Sequence, residues 1–172
     1  KYYALTQALT SADGKMYLYN SETGEKLDIS EHEGDATYSP QFFSLDNQFL
    51  YYTTDEGSDF VYLAKRDLES GEVSKVFETN WDVWYAYDSW NEKYRVIGIN
   101  QDAKTVVKIL DQATGTEVSL PEIEGGSIAS VSISKNETKA RLTVSTSASP
   151  SNIYVYDFDT QELKKLTNTL NE

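Results

Sequence analysis

"NIYVYDFDTQELKKLT", residues 152–167, holds a short apolar run, a tight polar turn and a second run that stops at Thr167. The same pattern occurs three times upstream. "KMYLYNSETGEKLDIS" begins at Lys15, "FVYLAKRDLESGEVSKV" at Phe60 and "VVKILDQATGTEVSL" at Val106. Aligned on the turn, Asn20, Asp67, Asp111 and Asp157 close the first run, at spacings of 47, 44 and 46 residues. Gly24, Gly71 and Gly115 follow four residues later, with Gln161 in the fourth copy. Asp and Asn side chains bond the backbone two residues on, and Gly supplies positive φ, so each copy is a hairpin with turn chemistry.

A second register runs at a constant step. Ser44, Ser89 and Ser134, each 45 residues apart, open the polar turns Ser44–Asn47, Ser89–Glu92 and Ser134–Glu137. Apolar runs flank each of them: "ATYSPQFF" and "QFLYYTT", "WDVWYAYD" and "KYRVIGIN", "SIASVSI" and "KARLTVST". Four short strands in about 45 residues is the period of a β-propeller blade. No helical periodicity competes with it. The expectation is therefore an all-β chain, an arc of about four blades built from antiparallel strands. Three blades are complete, at about 35–78, 80–122 and 125–167, and 168–172 reads as a linker. The first unit, 1–33, enters at its second strand and lacks the innermost one, which makes about 15 strands in all. Blades bury their faces against neighbours, so an arc leaves faces and a strand edge to associate with other copies.

Composition agrees. The 172 residues include 13 Tyr, 6 Phe and 3 Trp, a strand-favouring mixture. The net charge of −13 makes nucleic acid and anionic membrane surfaces poor partners. Cysteine is absent, so disulfides and thiolate metal sites are excluded, and both cytoplasmic and periplasmic settings fit.

"SPQFFSLDNQFLYY", Ser39 to Tyr52, resembles the Ser-Pro and turn segment of Tol-type and peptidase-type propellers. "IYVYDFDTQELKKLT", from Ile153, resembles the end of the same blades. The sequence departs from that pattern at Leu45, Asn47 and Gln161, where the family has Pro, Gly and Gly. "KKLTNTLNE", Lys164 to Glu172, resembles the close of the propeller in prolyl oligopeptidase-type serine peptidases, the group of the dipeptidyl and acylaminoacyl peptidases. The resemblance implies a non-catalytic propeller segment that admits short peptides to a hydrolase domain outside this chain. A Tol-like module that binds a protein partner is the alternative.

Chemistry is sparse. A Ser-His-Asp triad has only His32 to draw on. Gly125-Gly126-Ser127-Ile128-Ala129 ends in Ala and runs into an alternating strand pattern, so it reads as a blade-opening turn rather than a nucleophile elbow. No catalytic residue, cofactor or metal site is assigned. His32, in "SEHEGD", reads as an exposed loop histidine whose acidic neighbours favour the protonated form. "DEGSD", Asp55 to Asp59, reads as a solvated hairpin turn. Asn136-Glu137-Thr138 fits the N-glycosylation pattern, which matters only in a eukaryotic secretory setting.

"WDVWYAYDSW", Trp81 to Trp90, reads as an inner strand buried on both faces, with a stacking platform for sugar or peptide as the alternative. Asp82 and Asp88 fall at its ends, and with Trp84 they are the candidate contacts at a channel mouth. A sugar-processing propeller would need acids converging from several blades, and these two aspartates are its only candidates.

Overall fold

The computed structural model describes residues 1–146 and 150–169, so the last three residues of the Lys164–Glu172 segment lie outside the described residues. No helix occurs among the described residues. The chain divides into two compact units, Lys1–Tyr85 and Ala86–Glu172.

The first unit contains two antiparallel sheets. β1 (Tyr2–Ala8), β2 (Gly14–Asn20) and β3 (Lys26–Asp28) form one, in the order β1-β2-β3. β4 (Tyr38–Phe43), β5 (Phe49–Thr54), β6 (Tyr62–Asp67) and β7 (Val73–Phe77) form the other, each strand beside the next. Between the two sheets Met16, Leu18 and Ile29 pack with Ala36, Tyr38, Leu50, Tyr52, Tyr62 and Ala64. β5 is buried from Leu50 to Thr54, the pattern of a strand covered on both faces.

β8 (Asp82–Asp88) spans the division of the chain and belongs to the three-stranded sheet β10-β9-β8, with β9 (Tyr94–Gln101) and β10 (Lys104–Asp111) in the second unit. β11 (Gly126–Ile133), β12 (Lys139–Thr146), β13 (Asn152–Asp157) and β14 (Leu163–Lys165) make the fourth sheet. β9 is buried from Tyr94 to Ile99, whereas β12 alternates, with Ala140, Leu142 and Val144 inside and Arg141 outside. Tyr94 stacks on Phe158 at 4.2 Å, and Tyr156 meets Phe158 edge-on at 5.4 Å.

The repeated turns follow one template. The side-chain oxygen of Asn20, Asp67, Asp111 or Asp157 accepts a bond from the N–H two residues on. Gly24, Gly71 and Gly115 have φ of 75°, 77° and 69°, and Gln161 takes the same place at 60°. In the other register Ser44, Ser89 and Ser134 accept the N–H of Phe49, Tyr94 and Lys139 through Oγ. The fourth position of these turns is left-handed in each copy, in Asn47, Glu92 and Glu137, with φ of 57° to 59°.

Two expectations are corrected. The described strands number 14, not 15, because the third sheet has no fourth strand. After the turn at Asp111 the chain makes a single bridge, Leu110 to Glu117, and one further bond, from Val118 N–H to Ile109 C=O. Then comes Pro121, which has no N–H to give a ladder. The second correction concerns Trp81–Trp90. Val83 and Ala86 are buried, but Trp84 is 57% exposed and Trp90 62% exposed, so this run is not buried on both faces.

Candidate functional site

Asp82 and Asp88 are the first and last residues of β8, with Trp84 between them. In the first unit, Asp82 Oδ1 accepts the Val61 N–H at 3.0 Å, which ties the start of β8 to β6. Trp84 stands out into solvent. In the second unit, Asp88 is nearly buried and holds Arg95 in a bidentate pair, both bonds 2.7 Å long. The forked geometry satisfies both carboxylate oxygens. Asp88 thus has a structural commitment, while Trp84 offers an open ring face. Trp90, in the following turn, lies under Lys135 Nζ at 4.3 Å.

His32 departs from the expectation of exposure: its side chain is 8% exposed. Nδ1 lies 2.6 Å from the Ser30 carbonyl and Nε2 3.1 Å from Asp13 Oδ1. The ring also packs on Tyr38 at 5.4 Å. The bond to the Ser30 carbonyl, against partial burial and together with Asp13, raises its pKa above the ordinary 6.5. The direction agrees with the sequence expectation, but its causes lie at Ser30, Asp13 and Glu56. The extended-chain neighbours Glu31, Glu33 and Asp35 are not among them.

The Asp55–Asp59 turn is less solvated than expected. Asp55 Oδ1 accepts both the N–H and the hydroxyl of Thr37, at 2.7 and 3.0 Å, and so pins the entrance to β4. Glu56 accepts the Tyr38 hydroxyl through Oε2 and the Tyr62 hydroxyl through its carbonyl. Burial and the bond to Glu56 push the Tyr38 phenol well above its usual range.

In the second unit a buried carboxylate joins two sheets. Glu137 is 5% exposed, and its Oε1 accepts Ser89 Oγ–H at 2.5 Å and the Asn91 N–H at 2.7 Å. Its Oε2 accepts Asn91 Nδ2–H at 3.1 Å. Burial pushes this carboxyl up, but the donors outweigh it and hold its pKa below the ordinary 4.5. Sequence reading missed this clasp. Its one trace is a bulky acid where a left-handed turn suits Gly or Asn.

Gly125 has a φ of 63° and Gly126 N–H bonds the Ile123 carbonyl, so this stretch is a turn that opens β11, and Ser127 lies on that strand. A Cβ on Gly126 would stand 2.8 Å from Ile123 Cγ2 and 2.9 Å from Val144 Cγ1. No group of three or more His, Asp or Glu able to hold a metal occurs among the described residues. Beside the incomplete third sheet lies a groove of about 620 Å³, lined by Val107, Val118, Leu120, Pro121, Ile123 and Glu122.

The four meandering sheets place the chain among β-propellers of the kind found in TolB and in prolyl oligopeptidases. A prolyl endopeptidase structure superposes on all of this chain with a TM-score of 0.77 at 14% identity, the match covering 26% of that protein. Prolyl oligopeptidase B from Galerina marginata matches 99% of the chain with a TM-score of 0.76 at 20% identity, over 25% of its own length. TolB from Acinetobacter baumannii matches 98% with a TM-score of 0.67 at 20% identity, over 41% of its length. The chain therefore spans about a quarter to two fifths of these three proteins. No family model matches the sequence, and no curated protein does.

Proposed function

We propose that the chain is a non-catalytic propeller segment of a prolyl oligopeptidase-type serine peptidase, which limits access of peptides to a hydrolase domain outside this chain. The observation that carries this reading is the superposition on two prolyl peptidases over 99–100% of this chain and about a quarter of theirs. The physical basis is steric: a closed propeller ring with a narrow channel excludes folded chains and passes extended ones. No single side chain performs that task. The only histidine has both ring nitrogens engaged, which fits a segment that leaves bond cleavage to another domain.

Two assays test the proposal. The isolated chain should not hydrolyse aminoacyl- or prolyl-nitroanilides, and turnover abolished by His32→Ala would overturn the assignment. The full polypeptide encoded by the surrounding gene should cleave short prolyl peptides and spare folded proteins. A full polypeptide with no peptidase activity would favour the second reading, a Tol-like module that binds a protein partner. The match to TolB and the exposed ring of Trp84 support that alternative.

A further inference from the structure

We infer that His32 and Asp13 form a proton-operated latch, which holds the loop at residues 31–35 closed while the imidazole is charged and releases it when the ring is neutral. The device lies wholly in the first unit and is independent of the access function proposed above.

The loop has one inward anchor. Residues 29–37 connect β3 to β4 and belong to no strand. Both ends of this connection are fixed. Ile29 N–H bonds the Met16 carbonyl, and Ser30 Oγ accepts the Met16 N–H at 2.8 Å. At the far end the Ala36 carbonyl accepts the Gly14 N–H at 2.9 Å, and Thr37 is bonded to Asp55. Between these fixtures Glu31, Glu33, Gly34 and Asp35 are exposed, and no hydrogen bond or ion pair among the described residues holds them. His32 alone turns inward, with its side chain nearly buried.

The two contacts of the ring demand two protons. Nδ1 lies 2.6 Å from the Ser30 carbonyl and Nε2 3.1 Å from Asp13 Oδ1. A carbonyl and an ionised carboxylate only accept, whereas a neutral imidazole has a single N–H. The neutral ring therefore satisfies one contact and sets lone pair against lone pair at the other. The shorter contact, to a residue of the same segment, keeps its N–H. The contact to Asp13 is the one that fails. Asp13 belongs to the turn between β1 and β2, so its loss unties the loop from a different element. The Tyr38 ring, 5.4 Å away, packs on the imidazole without a hydrogen bond to take over.

The surroundings of the ring are acidic. Asp13 approaches from the β1–β2 turn. Glu56, in the turn between β5 and β6, stands behind Tyr38 of β4 and accepts its hydroxyl. On the other side of Ser30, Asp28 is paired with Lys15 at 3.0 Å, so that ammonium is already engaged. Glu31, Glu33 and Asp35 flank the ring along its own segment. The bond to the Ser30 carbonyl, with Asp13 and Glu56, outweighs burial and raises the pKa above 6.5. Below 6.5 the ring is charged in the folded and the unfolded chain alike, and the latch opens as pH rises through the higher folded value.

The test is a pH titration of the whole chain labelled with nitrogen-15, from about pH 5 to about pH 9. His32 is the only histidine, so its ring signals are unambiguous. Heteronuclear relaxation should show residues 31–35 ordered at low pH and mobile once the ring has lost its proton, with one midpoint above 6.5 for ring and loop. Met16, Leu50 and Ala64, in the core between the sheets, should stay ordered throughout. His32→Leu, which cannot bond Asp13, should leave the loop mobile at every pH. Asp13→Asn discriminates, because its side-chain amide can turn an N–H toward a neutral ring and its oxygen toward a charged one. That variant should keep the loop ordered across the range while the ring midpoint falls. A wild-type loop whose order does not change as the ring titrates would overturn the proposal. So would a wild-type midpoint at or below 6.5, an ordered loop in His32→Leu, or a loop that still loosens in Asp13→Asn. Loosening of Met16 and Leu50 together with the loop would replace the latch by general unfolding and overturn it as well.

Discussion

At the scale of single residues, the left-handed turn position shows how one backbone geometry serves two ends. Asn47 and Glu137 both have φ of 57°. Asn47 is exposed, and among the described residues its side chain bonds the nearby Leu45 carbonyl. Asn47→Gly should therefore change stability by less than about 1 kcal/mol. Glu137→Gly relieves the same backbone but strands the Ser89 and Asn91 donors, and a loss of about 2 kcal/mol is expected. Chemical denaturation of both variants checks the contrast, and equal midpoints would refute the clasp. The two buried titrating groups give opposite pH signatures. Glu137 has its folded pKa depressed below 4.5, so its contribution is full above 4.5 and fades as pH falls through the folded value. The melting-temperature gap between the wild type and Glu137→Gln should shrink in acid. His32 has its folded pKa raised above 6.5, so its contribution is full below 6.5 and is lost as pH rises through the folded value. The gap between the wild type and His32→Gln should shrink as the solution is made alkaline. Gaps that stay constant with pH would remove the electrostatic account of both residues.

At the scale of elements, burial sets the order in which strands open. β5 and β9 are buried over five and six successive residues, whereas β3 and β14 are three-residue strands with mostly exposed side chains. Amide exchange should be slowest in β5 and β9 and fastest in β3, β14 and the 117–125 segment. Uniform exchange across all of them would contradict the layered burial. The central strands and turns were legible in the sequence, because Asp and Ser recur with fixed spacing and each recurrence has a local hydrogen-bonding reason. The missing fourth strand was not legible in the same way. The turn at Asp111 is intact, and the interruption comes from Pro121, ten residues later, after a sound hairpin start. His32 was misjudged because its burial depends on Asp13, Ser30 and Tyr38, which adjacent-residue reasoning does not bring together. Trp84 and Trp90 were misjudged because an aromatic run looks the same whether or not a neighbour covers it. The Glu137 clasp joins residues 46 apart in sequence, and repeat alignment placed them in equivalent turns without showing that those turns touch.

At the scale of the whole molecule, the balance lies between charge and uncovered apolar surface. On β1, Tyr3 is 58% exposed and Leu5 is exposed beside it on the same face. Across the ladder they face Tyr19 and Tyr17, with Lys26 Nζ 3.6 Å from the Tyr17 ring centre. That is a contiguous aromatic face on a sheet whose other face is already packed around Met16 and Leu18. Such faces draw partners when they exceed what isolated chains tolerate. The −13 charge opposes close approach, yet its reach is limited to roughly 8 Å at physiological salt, while apolar burial acts at contact. Association should therefore strengthen with added salt. Light scattering across a range of protein concentrations, at low and at physiological salt, should give a mass that climbs above 19.4 kDa, more steeply in salt. Tyr3→Lys together with Leu5→Lys places two cations on the face and should hold the mass at the monomer value without lowering the melting temperature. A folded wild-type chain that remains at 19.4 kDa under every condition would mean that this face is wetted without cost, and that side-chain stems and Lys26 cover it well enough alone.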